Sequence, residues 1–316
     1  MYRYLIKRIL LIIPILLGVS LITFTLIFFT PGDPAEQVLR EQRGTEEVSP
    51  AAVERLRGDM GLDRPVHQQY FDWIKGLIQG DMGESLVTGE QVSSEIARVF
   101  PYTMQLSLAS IAVALIIAVP VGVLSAVKHN SIVDFLSMAA ALVGVSMPNF
   151  WLALLLMLFF SLHLGLLPVS GFGGGIETLI LPAITLGTGM AAMTTRLIRS
   201  SMLEVMEQEY TEFARAKGLS SWKIIHRHTF KNAMIPVITY LGLQLGWALE
   251  GAVIVESIFA RPGIGSLLYE AVQSRDFPLI QGCVLYITLV FVLANLLIDM
   301  IYVFIDPRIK YSEREA

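Results

Sequence analysis

Uncharged stretches long enough to cross a bilayer recur along the chain and set its frame. Ile9–Thr30, Met104–Val127, Leu179–Thr195 and Phe277–Ile298 carry no Asp, Glu, Lys or Arg, and Asn232–Val255 carries only Glu250. About 20 consecutive apolar residues span a hydrocarbon core as a helix, so five spans are expected from these runs. Phe135–Ile176 is also uncharged and is too long for one straight helix. Pro148 interrupts it within "GVSMPNFW" (Gly144–Trp151), where a backbone donor is missing. We read 134–166 as one further span, bent at that point, with "LPVSGFGGG" (Leu167–Gly175) as the turn that follows.

A different periodicity holds between the fourth and fifth spans. Met206, Tyr210, Phe213 and Ala214 fall at i, i+4, i+7 and i+8, the spacing of one helical face. Gly218 is placed to end that helix as a C′ residue. Ser220 or Ser221 can cap a second helix with Trp222, Ile225 and Thr229 on one side. Two short helices at an angle make a compact knob with an apolar stripe and a basic surround. Such a knob suits insertion into a partner protein's groove, and it suits equally a helix lying flat on anionic lipid.

Composition agrees with a membrane protein. Only 16% of the 316 residues are charged and mean hydropathy is +0.63, against roughly 25% charge in soluble domains. The net charge of −4 argues against nucleic-acid binding. Cys283 is the only cysteine, so no internal disulfide is possible. The first apolar run is of span length and lacks a small-residue cleavage site, so it reads as a retained helix. Arg3, Lys7 and Arg8 precede it, Lys128 follows the second span, and seven basic residues lie from Arg196 to Lys231. The positive-inside rule then places both termini in the cytoplasm with six spans between them. The expected division is a first helix (1–30), an extracytoplasmic region (31–100), a five-helix core (101–305) containing a cytoplasmic loop (204–231), and a tail (306–316).

The loop residues also carry a resemblance. "EFARAKGLSSWKIIHRHTFKNAMIP" (Glu212–Pro236) resembles the EAA loop of permease subunits of ATP-binding-cassette importers. Glu212, Ala214 and Gly218 match its core, Phe213 replaces the first alanine, and Lys217 replaces the usual acidic residue. The late proline after Asn232-Ala233-Met234-Ile235 is similar to the dipeptide, oligopeptide and nickel branch. "PGDPA" (Pro31–Ala35), "GLDRPVHQQYFDW" (Gly61–Trp73), "GDMGESL" (Gly80–Leu86), "RSSMLEV" (Arg199–Val205), "RPGIG" (Arg261–Gly265) and "DPRIK" (Asp306–Lys310) resemble the B-type subunit of that branch end to end, with Arg261 where many relatives have tryptophan.

The resemblance implies an all-α, six-span, type I importer permease in a bacterial-type inner membrane, carrying peptides or chelated nickel. It implies a second related permease, two ATPase subunits holding ATP and Mg²⁺, an extracytoplasmic solute-binding protein and surrounding lipid as partners. Glu212, Phe213, Ala214, Arg215, Lys217, Gly218 and Leu219 would dock in an ATPase cleft. The chain has no Gly-x-x-x-x-Gly-Lys-Ser/Thr loop, so it is expected to be no ATPase and to bind no cofactor itself.

Glu250, beside Gly246 and Gly251 in the fifth span, is a candidate pathway residue, because intramembrane carboxylates mark function by default. A solvated rim position explains it as well. Asp299 reads as a structural partner of a neighbouring helix, and His163 as a packing residue. His226 and His228, two apart, do not share a helical face, so no metal site is expected there. A self-sufficient secondary transporter or channel is the rival reading. It would need paired intramembrane charges, and only Glu250 and Asp299 are candidates. An intramembrane hydrolase would need convergent catalytic residues, which the spans do not offer.

Overall fold

The computed structural model describes residues 2–29, 32–33, 35–36, 38–39, 49–171 and 175–305. The Asp306–Lys310 motif, Pro31 and Pro34 of Pro31–Ala35, residues 172–174 of the predicted turn, and the side chains of Arg3, Lys7 and Asp299 lie outside the described residues.

Apolar composition over long uninterrupted stretches gives the longest helices. The order is α1 (Tyr2–Phe28), α2 (Pro50–Asp59), α3 (Val66–Ile78), α4 (Val92–Val127), α5 (Ile132–Ser146), α6 (Asn149–His163), α7 (Glu177–Met206), α8 (Glu209–Ala216), α9 (Ser221–Ile258), α10 (Ile264–Ser274) and α11 (Phe277–Ile305). Among the described residues the sole β-type pairing is the bridge between Glu84 and Gln91. Among the described residues five helices are long and apolar enough to cross a membrane: Arg8–Phe28, Val92–Val127, Glu177–Met206, Ser221–Ile258 and Phe277–Ile298. The α5–α6 pair passes the same test together, with the two helices turned 104° at the break. That break falls at Met147 and Pro148, inside the predicted bend: Met147 leaves the helix at ψ 119° and Pro148 caps α6.

Two compact units make up the chain. Residues to Tyr102 with Pro262–Val292 form one, and Thr103–Arg261 with the chain from Leu293 form the other. In the first, Val92, Ile96, Val99, Ile264, Leu267, Ala271, Leu279 and Cys283 form the core. Phe24 of α1 meets Tyr70 edge-on and stacks on Trp73 of α3, with centroids at 5.3 and 6.2 Å. Ser85 Oγ donates to Asp276 Oδ2 at 2.5 Å, tying the loop before α4 to the start of α11.

The second unit is built around α7, whose small residues admit its neighbours closely. A Cβ on Gly187 would stand 2.7 Å from the Ser110 carbonyl oxygen and 3.0 Å from Val113 Cβ of α4. A Cβ on Gly122 of α4 would meet Ile198 of α7 at 2.9 Å. Close backbone approach through small residues is how membrane helices associate, since lipid offers no hydrophobic drive between them. Gly187→Ala is therefore expected to lower stability by about 1–3 kcal/mol, the usual cost of overpacking. Thermal unfolding of the detergent-solubilised protein measures it, and an unchanged midpoint would refute the tight crossing.

Several buried polar groups in this unit are bonded across helices. Asp134 of α5 is 4% exposed and takes a two-pronged bond from Arg199 of α7, Nε to Oδ1 at 2.6 Å and Nη2 to Oδ2 at 2.8 Å. Ser125 Oγ and the Asn130 amide also donate to the Asp134 carboxylate, at 2.5 and 3.0 Å. Asn130 sits at φ 61° in the α4–α5 turn. Glu256, fully buried near the end of α9, accepts from Thr103 Oγ1 of α4 at 2.7 Å. The buried Arg261 donates through Nη2 to Gln105 at 3.2 Å, and its amide bonds the Glu256 carbonyl at 2.9 Å. Glu256, Arg261, Asp134 and Arg199 were not singled out by side-chain chemistry in the sequence. Two signals were available: the Ser131-x-x-Asp134 capping pattern before an apolar run, and opposite charges five residues apart at a span end.

Candidate functional site

The projecting loop begins where α7 stops. Glu207 and Gln208 leave the helix, with Gln208 extended at φ −73°, ψ 143°. The chain restarts as α8, with Glu209 and Glu212 in its first turn and Arg215 in its last, the arrangement favoured by the helix dipole. Thr211 Oγ1 donates to the Val205 carbonyl at 2.9 Å and so pins α8 against the end of α7.

This geometry corrects the expected face. Met206 closes α7 instead of sharing a helix with Tyr210. Thr211 and Ala214 turn inward, while Tyr210 and Phe213 are 43% and 61% exposed. The helix break resets the phase, and the Thr211 bond selects which side is buried. Glu212, Arg215 and Lys217 are exposed alongside Phe213, and Lys217 Nζ lies 4.6 Å from the Phe213 ring centre.

Gly218 takes the C′ position. Its φ is +79°, its amide bonds the Arg215 carbonyl at 3.0 Å, and the Leu219 amide bonds the Ala214 carbonyl at 3.3 Å. These are the two bonds of a Schellman closure, which needs a residue free to adopt positive φ.

Ser220 caps the next helix through its extended backbone; its side chain makes no capping bond. That helix is not a separate short segment, as expected, but the start of α9. The chain widens into π-helical turns over Ile224–Thr229 and continues past Pro236 without ending. The extra residue in the widened turns again shifts the phase. Ile224 and Thr229 are buried while Trp222 is 68% exposed, so Trp222 and Thr229 do not lie on one side. Trp222 stacks on His226 at 4.2 Å, and His226 in turn faces Phe230 at 6.3 Å. Asn232 Nδ2 donates to Tyr210 Oη at 3.1 Å and to the His228 carbonyl at 3.0 Å, locking α8 onto α9. The result is a pair of hydrogen-bonded helices with aromatic residues outward, continuous with a helix of span length.

Glu250 lies on the exposed side of α9, one turn beyond the exposed Trp247. The neighbouring Gly246 is buried, and a Cβ on Gly251 would approach Leu186 of α7.

The N-terminal model of binding-protein-dependent transport system membrane components matches residues 1–108. The model of the binding-protein-dependent transport system inner membrane component matches residues 118–311. The chain belongs to this family. It is a multi-pass inner-membrane permease subunit and not the ATPase of such a system. It is 41% identical to the dipeptide transport system permease DppB of Alkalihalophilus pseudofirmus, across 98% of this chain and 100% of that one. The glutathione transport system permease GsiC of Pectobacterium atrosepticum is 41% identical across 99% of this chain and 100% of its own length. The Escherichia coli K12 DppB is 38% identical at the same coverage. Among solved structures, the inward-facing MetNI methionine transporter matches with TM-score 0.55 at 18% identity, over 67% of this chain and 96% of that one. The permease fold of type I importers is thus shared with it.

Proposed function

We propose that this permease imports small peptides, forming half of a translocation path with a second, related permease. Two ATPase subunits carrying ATP and Mg²⁺ would sit on the cytoplasmic side, a solute-binding protein outside, and lipid around the spans. Both termini are cytoplasmic in this reading, which rests on the Lys and Arg distribution. The observation that carries it is the rigid aromatic knob of α8 and the start of α9, held by the Thr211 and Asn232 bonds and continuous with a span. Glu212, Phe213, Ala214, Arg215, Lys217, Gly218 and Leu219 build the face that docks in an ATPase cleft, with Ala214 supporting it from inside. Motion of the ATPases is then delivered to α9 as a rigid-body displacement, the mechanism of alternating access. The permease does no covalent chemistry.

The names of the relatives reported above favour a peptide over chelated nickel as cargo. Glu250 would face the path and attract the ammonium end of the solute. The test is reconstitution in liposomes with all four partner proteins. ATP-dependent uptake of labelled alanyl-alanine is expected, with none by this chain alone. Uptake by the lone chain would overturn the importer reading. Uptake of Ni²⁺ chelate without peptide would overturn the cargo. Glu250→Gln is expected to slow uptake of alanyl-alanine several-fold, and an unchanged rate would remove Glu250 from the path.

A further inference from the structure

We propose that the bend between α5 and α6 forms, with α7 and α9, a membrane-depth subsite that holds the peptide backbone during passage. This rests on the peptide reading above.

A cavity of about 200 Å³ lies at the break, entirely within the second unit. Gly144, Met147 and Asn149 bring the bend to it, Met190 and Met193 come from the middle of α7, and Trp247 from the middle of α9. Non-helical backbone at this depth persists only where it is buried in protein or lines a polar cavity.

Two polar groups on α9 reach this cavity. Tyr240 and Gln244 line it four residues apart, one helical turn, or roughly 5–6 Å between Cβ atoms. Gln244 is 1% exposed, and its Nε2 is committed to the Met190 carbonyl at 3.0 Å and Thr194 Oγ1 at 3.1 Å. That orientation leaves Oε1 buried with no hydrogen-bonding partner among the described residues. Tyr240 Oη is likewise shielded and meets no partner among the described residues. Buried polar atoms without partners are costly and uncommon in folded proteins. Both belong to residues that line one cavity, and a side-chain rotation that turns Oε1 and Oη into it presents an acceptor and a hydroxyl together.

An acceptor beside a hydroxyl matches an amide: Gln244 Oε1 takes the N–H, and Tyr240 Oη donates to the carbonyl oxygen. The walls complete the match. Met147, Met190 and Met193 are unbranched and polarisable, so they fit side chains of differing shape. A site that fixes the constant backbone and yields to variable side chains is what a carrier of many peptides requires. Trp247 of the cavity wall is 57% exposed, and Glu250, three residues on along α9, is exposed as well, where a peptide's ammonium group would lie.

Tyr240→Phe removes one oxygen that bonds nothing among the described residues, so folding is expected to be unaffected. Gly189→Ala narrows the same cavity, and its Cβ meets no atom closer than Asn149 Oδ1 at 3.9 Å. Both variants are assembled with the four partners and given saturating binding protein loaded with alanyl-alanine. Expected results are an unchanged unfolding midpoint, ATPase stimulation by the loaded binding protein as in wild type, and maximal uptake lower by about tenfold for Tyr240→Phe and several-fold for Gly189→Ala. Wild-type uptake with both variants at the wild-type rate overturns the subsite and leaves the cargo reading standing. A Tyr240→Phe protein that is less stable but transports normally also overturns it, and identifies the cavity as a site for structural water. Wild-type complex that moves no alanyl-alanine overturns the cargo reading, and the subsite with it.

Discussion

Gly218→Pro is expected to abolish ATP-driven uptake while the protein still inserts in the membrane. The residue sits at φ +79°, whereas proline is held near −65°. Its amide bonds the Arg215 carbonyl at 3.0 Å, and proline has no amide proton to give. The Schellman closure is lost, so α8 and the start of α9 no longer keep their angle, and the exposed Phe213 and Trp222 change their relative placement. Gly218→Ala separates conformation from bulk. An added Cβ meets nothing within 4 Å, so only the positive φ opposes alanine, at about 1 kcal/mol. Alanine should therefore retain much of the transport that proline removes. Glu212→Lys leaves the fold intact, because the side chain is exposed, yet reverses a charge on the face proposed to dock. Uptake should fall at least tenfold in Glu212→Lys and Gly218→Pro while the partner ATPases, assayed alone, are unaffected. Wild-type uptake by both variants would remove the loop from the coupling path.

The largest effect on stability is expected at Asp134 and Arg199. Arg199→Leu leaves a carboxylate that is 4% exposed with only Ser125 Oγ and the Asn130 amide as donors. Breaking one side of a buried, hydrogen-bonded pair costs about 3 kcal/mol, because the remaining charge stays desolvated. Asp134→Leu should cost a similar amount, and the double variant should recover more than half of either loss. Unfolding midpoints of the three proteins in the same detergent give the answer. Additive losses would show that the pair is not a unit. The pair also has a position that bears on transport. It clamps the α4–α5 hairpin to α7 two turns before that helix ends at Met206 and hands over to α8. Variants that survive folding should therefore couple poorly as well as melt early.

The long uncharged runs, the place of the bend, and the glycine that closes α8 were all legible along the chain. Each follows from local physics: lipid cannot satisfy a charge or an open amide, proline lacks a donor, and positive φ favours glycine. The loop was singled out by the resemblance carried by Glu212, Ala214, Gly218 and the Asn232–Pro236 ending. Which of its side chains face outward was not legible. Helical spacing assigned Met206, Tyr210, Phe213 and Ala214 to one face, but the break at Gln208 and the Thr211 bond to Val205 rotated Ala214 inward. The π-helical turns did the same between Trp222 and Thr229.

What required the tertiary structure is everything that depends on residues far apart meeting. Asp134 finds Arg199 across 65 positions, and Thr103 finds Glu256 across 153. Gln244 reads on its own as one more polar residue in a span. Only the neighbouring Met190 and Thr194 show that its amide nitrogen is engaged and its oxygen is not. Periodicity reports how a residue repeats along its own helix. Whether a polar atom is satisfied depends on which other helix faces it, and that is decided by packing.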